Sequence, residues 1–118
     1  MNERGFSLAE VMIAMVILTV GVLGIAASSA AITRMTAEGG RQGGSAAVAE
    51  SRIELLTATP CASIASTGSA TTGKFTETWT VTTAGLLNTV TVNVSYPSGR
   101  TTRTSTYVAY ISCAPRAT

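Results

Sequence analysis

The sequence predicts an α+β protein in which one long N-terminal helix, transmembrane in its first half, packs by its second half on a small antiparallel β-sheet head. Three observations carry this prediction. Residues 11–33 contain no charged side chain, residues 46–56 repeat apolar side chains at helical spacing, and residues 75–112 alternate apolar with hydroxyl side chains. The 118 residues amount to one domain at most.

The charged residues are few, and they include few kinds of side chain. They make up 12% of the chain, against roughly 25% in an average soluble protein. There is no His and no Asp, so all six acidic side chains are Glu. This composition excludes His-based acid–base catalysis, His-containing zinc sites and Asp-based metal cages. We therefore expect no catalytic residue, metal, cofactor or enzyme activity, and the net charge of +2 does not by itself indicate a nucleic-acid partner.

Residues 6–33 are predicted to form a membrane-spanning helix. Crossing a hydrocarbon core takes about 20 apolar residues, and the uncharged run satisfies this length. Its hydroxyl side chains can donate hydrogen bonds to carbonyls of the preceding turn, which lets them enter lipid at low cost. They are Thr19, Ser28, Ser29 and Thr33.

Residues 34–59 are predicted to be a glycine-interrupted joint followed by an amphipathic helix. Each glycine costs a helix about 1 kcal/mol, so we expect the helix to pause and flex at a cluster of four of them. The helical pattern resumes at residue 45, and Pro60 ends it. The joint glycines are Gly39, Gly40, Gly43 and Gly44, and the apolar stripe after them is Ala46, Ala49, Ile53 and Leu56.

Residues 60–118 are predicted to be the β-sheet head. Residues 61–73 are rich in Ser, Thr, Ala and Gly and indicate a loop. Three alternating runs then predict strands, with a turn at Pro97-Ser98-Gly99 before the last. The predicted strands are Phe75 to Thr83, with Phe75, Trp79 and Val81 on one face, Asn88 to Tyr96, and Thr102 to Ser112.

The segment Gly5-Phe6-Ser7-Leu8-Ala9-Glu10, followed by an apolar run, resembles the cleavage and methylation motif of type IV pilins and type II secretion pseudopilins. That family has a short charged leader ending in Gly, then Phe, then Thr or Ser, Leu, any residue, Glu, and an apolar helix. The resemblance covers about residues 1–33. The head is similar to the family only in its pilin-like architecture.

The resemblance implies that residues 1–5 are a leader. A prepilin peptidase would cut between Gly5 and Phe6 and then N-methylate Phe6. It implies an assembly role for Glu10, whose carboxylate would neutralise the Phe6 ammonium of a neighbouring subunit in a filament. A charge inside an apolar helix is otherwise costly, by about 2.5–3.5 kcal/mol at the helix centre. A weaker interpretation of Glu10 is that it lies at the membrane interface and favours the helix N-terminus through the dipole.

The helix sequence from Val16 to Ala26 looks most like those of V-type minor pilins and I-type minor pseudopilins. It has no proline, whereas major subunits usually carry one there. Gly21 and Gly24 could instead supply the point at which the helix stretches, or serve close helix packing. The resemblance therefore implies a minor subunit of a type IV pilus or a secretion pseudopilus. A compact major pilin is one alternative, and a tip adhesin or DNA-binding pilin is another.

Cys61 and Cys113 flank the head. In an exported protein they would form a disulfide, and two unpaired thiols are the alternative. The resemblance implies a precursor in the bacterial inner membrane, crossing once with its head in the periplasm, that later enters the filament. Counting basic groups points the other way, because Arg34 and Arg41 follow the apolar run while only Arg4 and the amino terminus precede it.

Two further interpretations of the N-terminus, and one of the head, stay open. The apolar run could be an ordinary signal peptide cut near Ser28-Ser29-Ala30, or a permanent single-pass anchor. The head carries four basic side chains against Glu77 alone, a balance of +3, but no basic groove interleaved with aromatic residues, so the sequence favours no DNA partner. Those basic residues are Lys74, Arg100, Arg103 and Arg116.

Overall fold

A computed structural model describes residues 5–114, so leader residues 1–4 and Arg116 lie outside the described part of the chain. The chain divides into two compact units, Met1–Ala37 and Glu38–Thr118. One helix and four strands make up the described residues, in agreement with the predicted α+β class. They are α1 (Leu8–Ala58), β1 (Thr67–Thr72), β2 (Phe75–Ala84), β3 (Leu87–Ser98) and β4 (Thr101–Ser112), with a short 3-10 turn at Cys61–Ser63.

The expected interruption of the helix at residues 39–44 is wrong, because α1 continues unbroken through all four glycines. The last of these glycines, Gly44, contacts the sheet, as does the residue that follows it. A Cβ placed on Gly44 would lie 2.6 Å from the Phe75 ring, so the missing side chain lets helix and sheet approach each other. The next residue, Ser45, is fully buried and its Oγ lies 2.8 Å from the Tyr107 hydroxyl. These contacts offset the low helix propensity of glycine.

The four strands form an antiparallel meander in the order β1-β2-β3-β4. Each hairpin closes through two residues, the first of them a glycine with positive φ, as type II′ turns require. These glycines are Gly73, Gly85 and Gly99.

Two details of the predicted sheet are wrong. Residues 67–72, expected in a loop, form β1, which lacks apolar alternation because its inward positions are the small residues Gly68 and Ala70; a Cβ on Gly68 would overlap the Trp79 ring. The turn predicted at Pro97-Ser98-Gly99 lies at Gly99-Arg100, and Pro97 belongs to β3. Pro97 pairs only with Thr102 of β4, since β2 does not extend that far. Its missing N–H therefore costs no ladder bond to a second strand.

The core of the second unit lies between the last turns of α1 and one face of the sheet. The predicted strand face of Val90, Val92, Val94 and Tyr96 is buried, as are Ala49 and Leu56 of the helix stripe. Phe75, Trp79, Val81 and Ile53 pack against this core. The predicted packing of the second half of the helix on the sheet is confirmed.

A disulfide joins Cys61 to Cys113, as expected for an exported protein. Cys61 begins the 3-10 turn after α1, and Cys113 follows β4, where its N–H donates to the Leu86 carbonyl at 2.8 Å. The bond ties the end of the helix to the last strand of the meander.

Candidate functional site

The peptide bond between Gly5 and Phe6 lies outside the helix. Residues 5–7 have no regular secondary structure, and all three are exposed. The helix begins directly after them because Ser7 caps it: its carbonyl accepts from the N–H groups of Glu10 and Val11 at 3.1 and 3.2 Å, and its Oγ accepts from the Glu10 N–H at 3.2 Å. A helical backbone does not fit a protease cleft, whereas the bond between Gly5 and Phe6 is non-helical and exposed.

Glu10 lies in the first turn of α1 and is exposed. A carboxylate is favourable there because the helix dipole places partial positive charge at this end. Within residues 5–114 no cationic side chain lies within ion-pair distance of it. A partner for Glu10 must therefore come from the leader, from a free amino group at Phe6 or from another molecule.

Phe6 and Glu10 share one side of the helix start. Within α1, residues 10, 14 and 18 recur at intervals of four, so their side chains follow one another along a single face. Phe6, which precedes the helix, lines a shallow recess together with these three residues, Val11 and Met15. The predicted cleavage residue and the predicted assembly residue thus lie on the same surface.

The first unit leaves its apolar side chains uncovered. Every residue from Gly5 to Ala37 is exposed, and Phe6 keeps 84% of its surface. The helix is long and apolar enough to cross a membrane, judged by length and composition. An uncovered apolar surface of this size on a protein marks contact with lipid or with another protein.

The hydroxyl side chains of the apolar run bond back to the helix, as predicted. Thr19 Oγ1 donates to the Val16 carbonyl at 2.8 Å, and the others donate to carbonyls four residues earlier. Glu10 is therefore the one charged group between Gly5 and Thr33. At Gly21 and Gly24 an added Cβ would meet nothing within 4 Å, and their role in helix flexibility stays a prediction.

Sequence reasoning missed a buried ion pair in the head. Glu77 lies on the inner face of β2, 2% exposed, and its Oε1 accepts from Arg52 Nε of α1 at 3.1 Å. The Arg52 guanidinium also lies 4.2 Å from the centre of the Trp79 ring, within cation–π distance. The only signal for this pair was an acidic residue in the otherwise apolar inner face of β2.

Replacing Arg52 alone should destabilise the head more than replacing both partners. Arg52→Met leaves the Glu77 carboxylate buried and unpaired, and we expect a loss of about 2 kcal/mol in the free energy of unfolding. The double variant Arg52→Met/Glu77→Met should recover part of this loss. Urea unfolding of the full chain in detergent, followed by Trp79 fluorescence, measures both. A double variant less stable than Arg52→Met would contradict the account.

A second charged cluster joins Glu38 and Arg41 of α1 to the β3–β4 hairpin. Glu38 Oε2 accepts from Ser98 Oγ at 2.8 Å, and Glu38 also pairs with Arg41 and Arg103, at 3.4 and 3.6 Å. The Ser98 hydrogen bond lowers the pKa of Glu38 most. Partial burial opposes this shift, and the charges of Arg103 and Arg41 add to it.

Acid should weaken the head through Glu38. Because its folded-state pKa lies below the unfolded value, the ionised carboxylate stabilises the fold above the unfolded pKa of about 4.3, and this stabilisation disappears as the pH falls through the folded pKa. The melting temperature of the wild type should therefore drop more between about pH 6 and about pH 3 than that of Glu38→Gln. Equal drops in the two proteins would show that Glu38 does not contribute.

The comparisons with known proteins concern the N-terminal segment. Residues 1–26 match the family model described as the prokaryotic N-terminal methylation motif. Neither a curated protein nor a solved structure matches the chain. The match includes Gly5, Phe6 and Glu10 and ends before the head, so the architecture of residues 38–114 rests on the structure alone.

Proposed function

Since the chain carries the type IV pilin signature at its N-terminus, we propose that it is a minor pilin or pseudopilin, a structural subunit of a type IV pilus or of a type II secretion filament. The observation that carries this proposal is the arrangement of residues 5–10. A non-helical Gly-Phe bond, a capping Ser7 and a lone Glu10 directly precede an uncovered apolar helix. The motif family is structural and implies processing by a prepilin peptidase and assembly with other pilin subunits.

Processing occurs between Gly5 and Phe6. Gly5 has no side chain, so the backbone can enter a narrow protease cleft. Hydrolysis releases the leader with a carboxylate at Gly5 and leaves an amine on Phe6. The neutral amine then takes a methyl group from an electrophilic methyl donor bound by the peptidase, and the methylated amine is protonated to the ammonium form. The helix cap at Ser7 lies on the mature side of the cut, so the start of α1 survives cleavage.

Assembly uses the Glu10 carboxylate of one subunit and the Phe6 ammonium of its neighbour. Either charge alone would be expensive among packed apolar helices, whereas the pair is tolerated. The pair therefore selects one axial register for apolar surfaces that would otherwise slide past one another. The exposed apolar residues of the first unit then form the filament core.

The precursor crosses the inner membrane once, with its head in the periplasm. The Cys61–Cys113 disulfide supports this orientation, because disulfides persist in oxidising compartments and are rare in the cytoplasm. The minor-subunit assignment is supported by the resemblance of residues 16–26 to minor pilins and by the absence of proline from the described part of α1.

Replacing Gly5 with a bulky residue should prevent cleavage of the leader by the peptidase. Gly5→Leu places a bulky side chain at the scissile bond, and we expect the precursor to keep its leader when co-expressed with a prepilin peptidase. Ala9→Leu is the matched control, because it adds the same side chain at a position that the motif leaves free. The two precursors are compared by their size on a gel after co-expression. Cleavage of Gly5→Leu at the wild-type rate would contradict the proposed site.

A further inference from the structure

The head presents two free strand edges, one on β1 and one on β4. The strand order leaves β1 with β2 as its single neighbour and β4 with β3 as its single neighbour. Within residues 5–114 no other backbone group bonds to the outer side of either strand. A free edge is a row of unpaired N–H and C=O groups that can pair with a further strand.

The hydrogen bonds between neighbouring strands identify the residues whose N–H and C=O groups face the free edge. In an antiparallel pair, hydrogen-bonded and non-hydrogen-bonded residue pairs alternate. The Val81 N–H donates to the Ser66 carbonyl, and a two-residue hairpin closes on a bonded pair, so residues 68, 70 and 72 of β1 bond to β2. Residues 67, 69 and 71 therefore direct their N–H and C=O groups to the free edge.

The same reasoning holds for β4. The Cys113 N–H donates to the Leu86 carbonyl, and Ser98 pairs with Thr101 at the closing turn, so odd-numbered residues bond to β3. Even-numbered residues from Thr102 to Ser112 direct their backbone groups outward. Val108 and Tyr110, two of these, are 53% and 69% exposed.

Neither edge has the features that usually prevent strand pairing. Such features are edge prolines, charged side chains and bulges. β1 contains no charged residue and no proline, and both strands keep one-to-one register with their neighbours. The single charged residue of β4, Arg103, lies near the start of the strand, and residues 104–112 are uncharged.

A recess beside β1 can receive the side chains of an added strand. Between α1 and the β1–β2 hairpin lies a cleft of about 260 Å³ whose apolar part includes Val48 and Leu55. Leu55 keeps 58% of its surface exposed. A strand added to β1 would place its inner side chains over this cleft and cover that surface.

We propose that, where two copies of this chain are neighbours, the β4 edge of one pairs antiparallel with the β1 edge of the other, so that the two heads share one continuous sheet. The directions of the edge strands favour a second copy of the chain as the partner. With four antiparallel strands, β1 and β4 run in opposite directions, so copies that share one orientation present β4 antiparallel to the next β1. The inference rests on the proposed function, because the subunits of one filament share an orientation.

Pairing of two identical edges would not leave the two copies in the same orientation. An antiparallel β1–β1 pair has a two-fold axis normal to the sheet, and that axis would reverse the second half of α1, which packs on the sheet. A β4–β1 contact instead joins two different surfaces of the same chain. Contacts of this type do not close on themselves unless they form a ring, and they generate helical filaments.

The test is cross-linking between full-length chains co-expressed in bacterial membranes with a prepilin peptidase. One chain carries Ser69→Cys and the other Val108→Cys, and a bismaleimide tolerates a small uncertainty in register. The native cysteines are paired and do not react. We expect a cross-linked dimer from the mixture and none from either variant alone. Thr80→Cys, on the same exposed face but in β2, is the control and should not cross-link to Val108→Cys.

Ser69→Pro gives a second, independent measurement. The Ser69 N–H faces outward, so proline removes no bond of the internal ladder, yet it should abolish cross-linking between Val108→Cys and Thr71→Cys. Cross-linking of Ser69→Cys or Val108→Cys with itself, or no dimer from the mixture, overturns the inference. Leader cleavage is read in the same samples. A cleaved chain without dimers rejects edge pairing alone, whereas an uncleaved chain rejects the pilin assignment.

Discussion

We expect Glu10→Val to abolish incorporation into filaments while membrane insertion and leader cleavage continue. The substitution removes the carboxylate that would neutralise the Phe6 ammonium of a neighbour and leaves that ammonium unpaired among apolar helices. Insertion itself should become easier, because a charged residue costs a membrane helix up to about 3.5 kcal/mol. The expected phenotype is thus a processed subunit that accumulates in the membrane.

The measurement is the amount of subunit in sheared filaments relative to the membrane fraction. Glu54→Val is the matched control, because Glu54 is an exposed carboxylate on the same helix, in the second unit. It should leave incorporation unchanged. Wild-type incorporation of Glu10→Val would remove Glu10 from the assembly mechanism, and loss of incorporation in both variants would show an effect of helix charge in general.

Loss of the disulfide should cost the head about 4 kcal/mol. The bond joins residues separated by 52 positions, and in the chain-entropy account a closed loop of that length restricts the unfolded chain by about this amount. Small domains have a total stability of roughly 5–15 kcal/mol. Cys61→Ser/Cys113→Ser should therefore unfold at much lower urea concentration than the wild type.

Reductant provides the control for this prediction. It should shift the urea midpoint of the full-length wild type, in detergent, toward that of the double variant, and leave the midpoint of the double variant unchanged. A wild type whose midpoint does not respond to complete reduction would show that the bond contributes little to the free energy of unfolding.

The sequence was informative where a single local pattern decides the structure. The uncharged run predicted the apolar helix, and alternation predicted β3 with its buried face from Val90 to Tyr96, because each pattern follows the period of one element. The motif at residues 5–10 predicts the cleavage bond and an assembly role for Glu10 without any knowledge of the head, and both stay predictions. Spacing of the cysteines could not establish pairing, which the structure supplies.

The sequence was less informative where contacts between residues far apart in the chain determine the local structure. The glycines at 39–44 predicted a break, but Gly44 fits against Phe75 and Ser45 against Tyr107, and both partners lie far along the chain. β1 has almost no apolar side chains, and it is held by its ladder to β2. The ion pair of Arg52 and Glu77 joins residues 25 positions apart, which no local pattern reveals.

The mass of the mature, intact protein tests the central claim most directly. If the chain is a pilin-type subunit, the protein isolated from filaments or membranes begins at Phe6 and carries one added methyl group. A protein that begins at Met1, or one that begins near Ala31 after removal of the whole apolar run, would contradict the account.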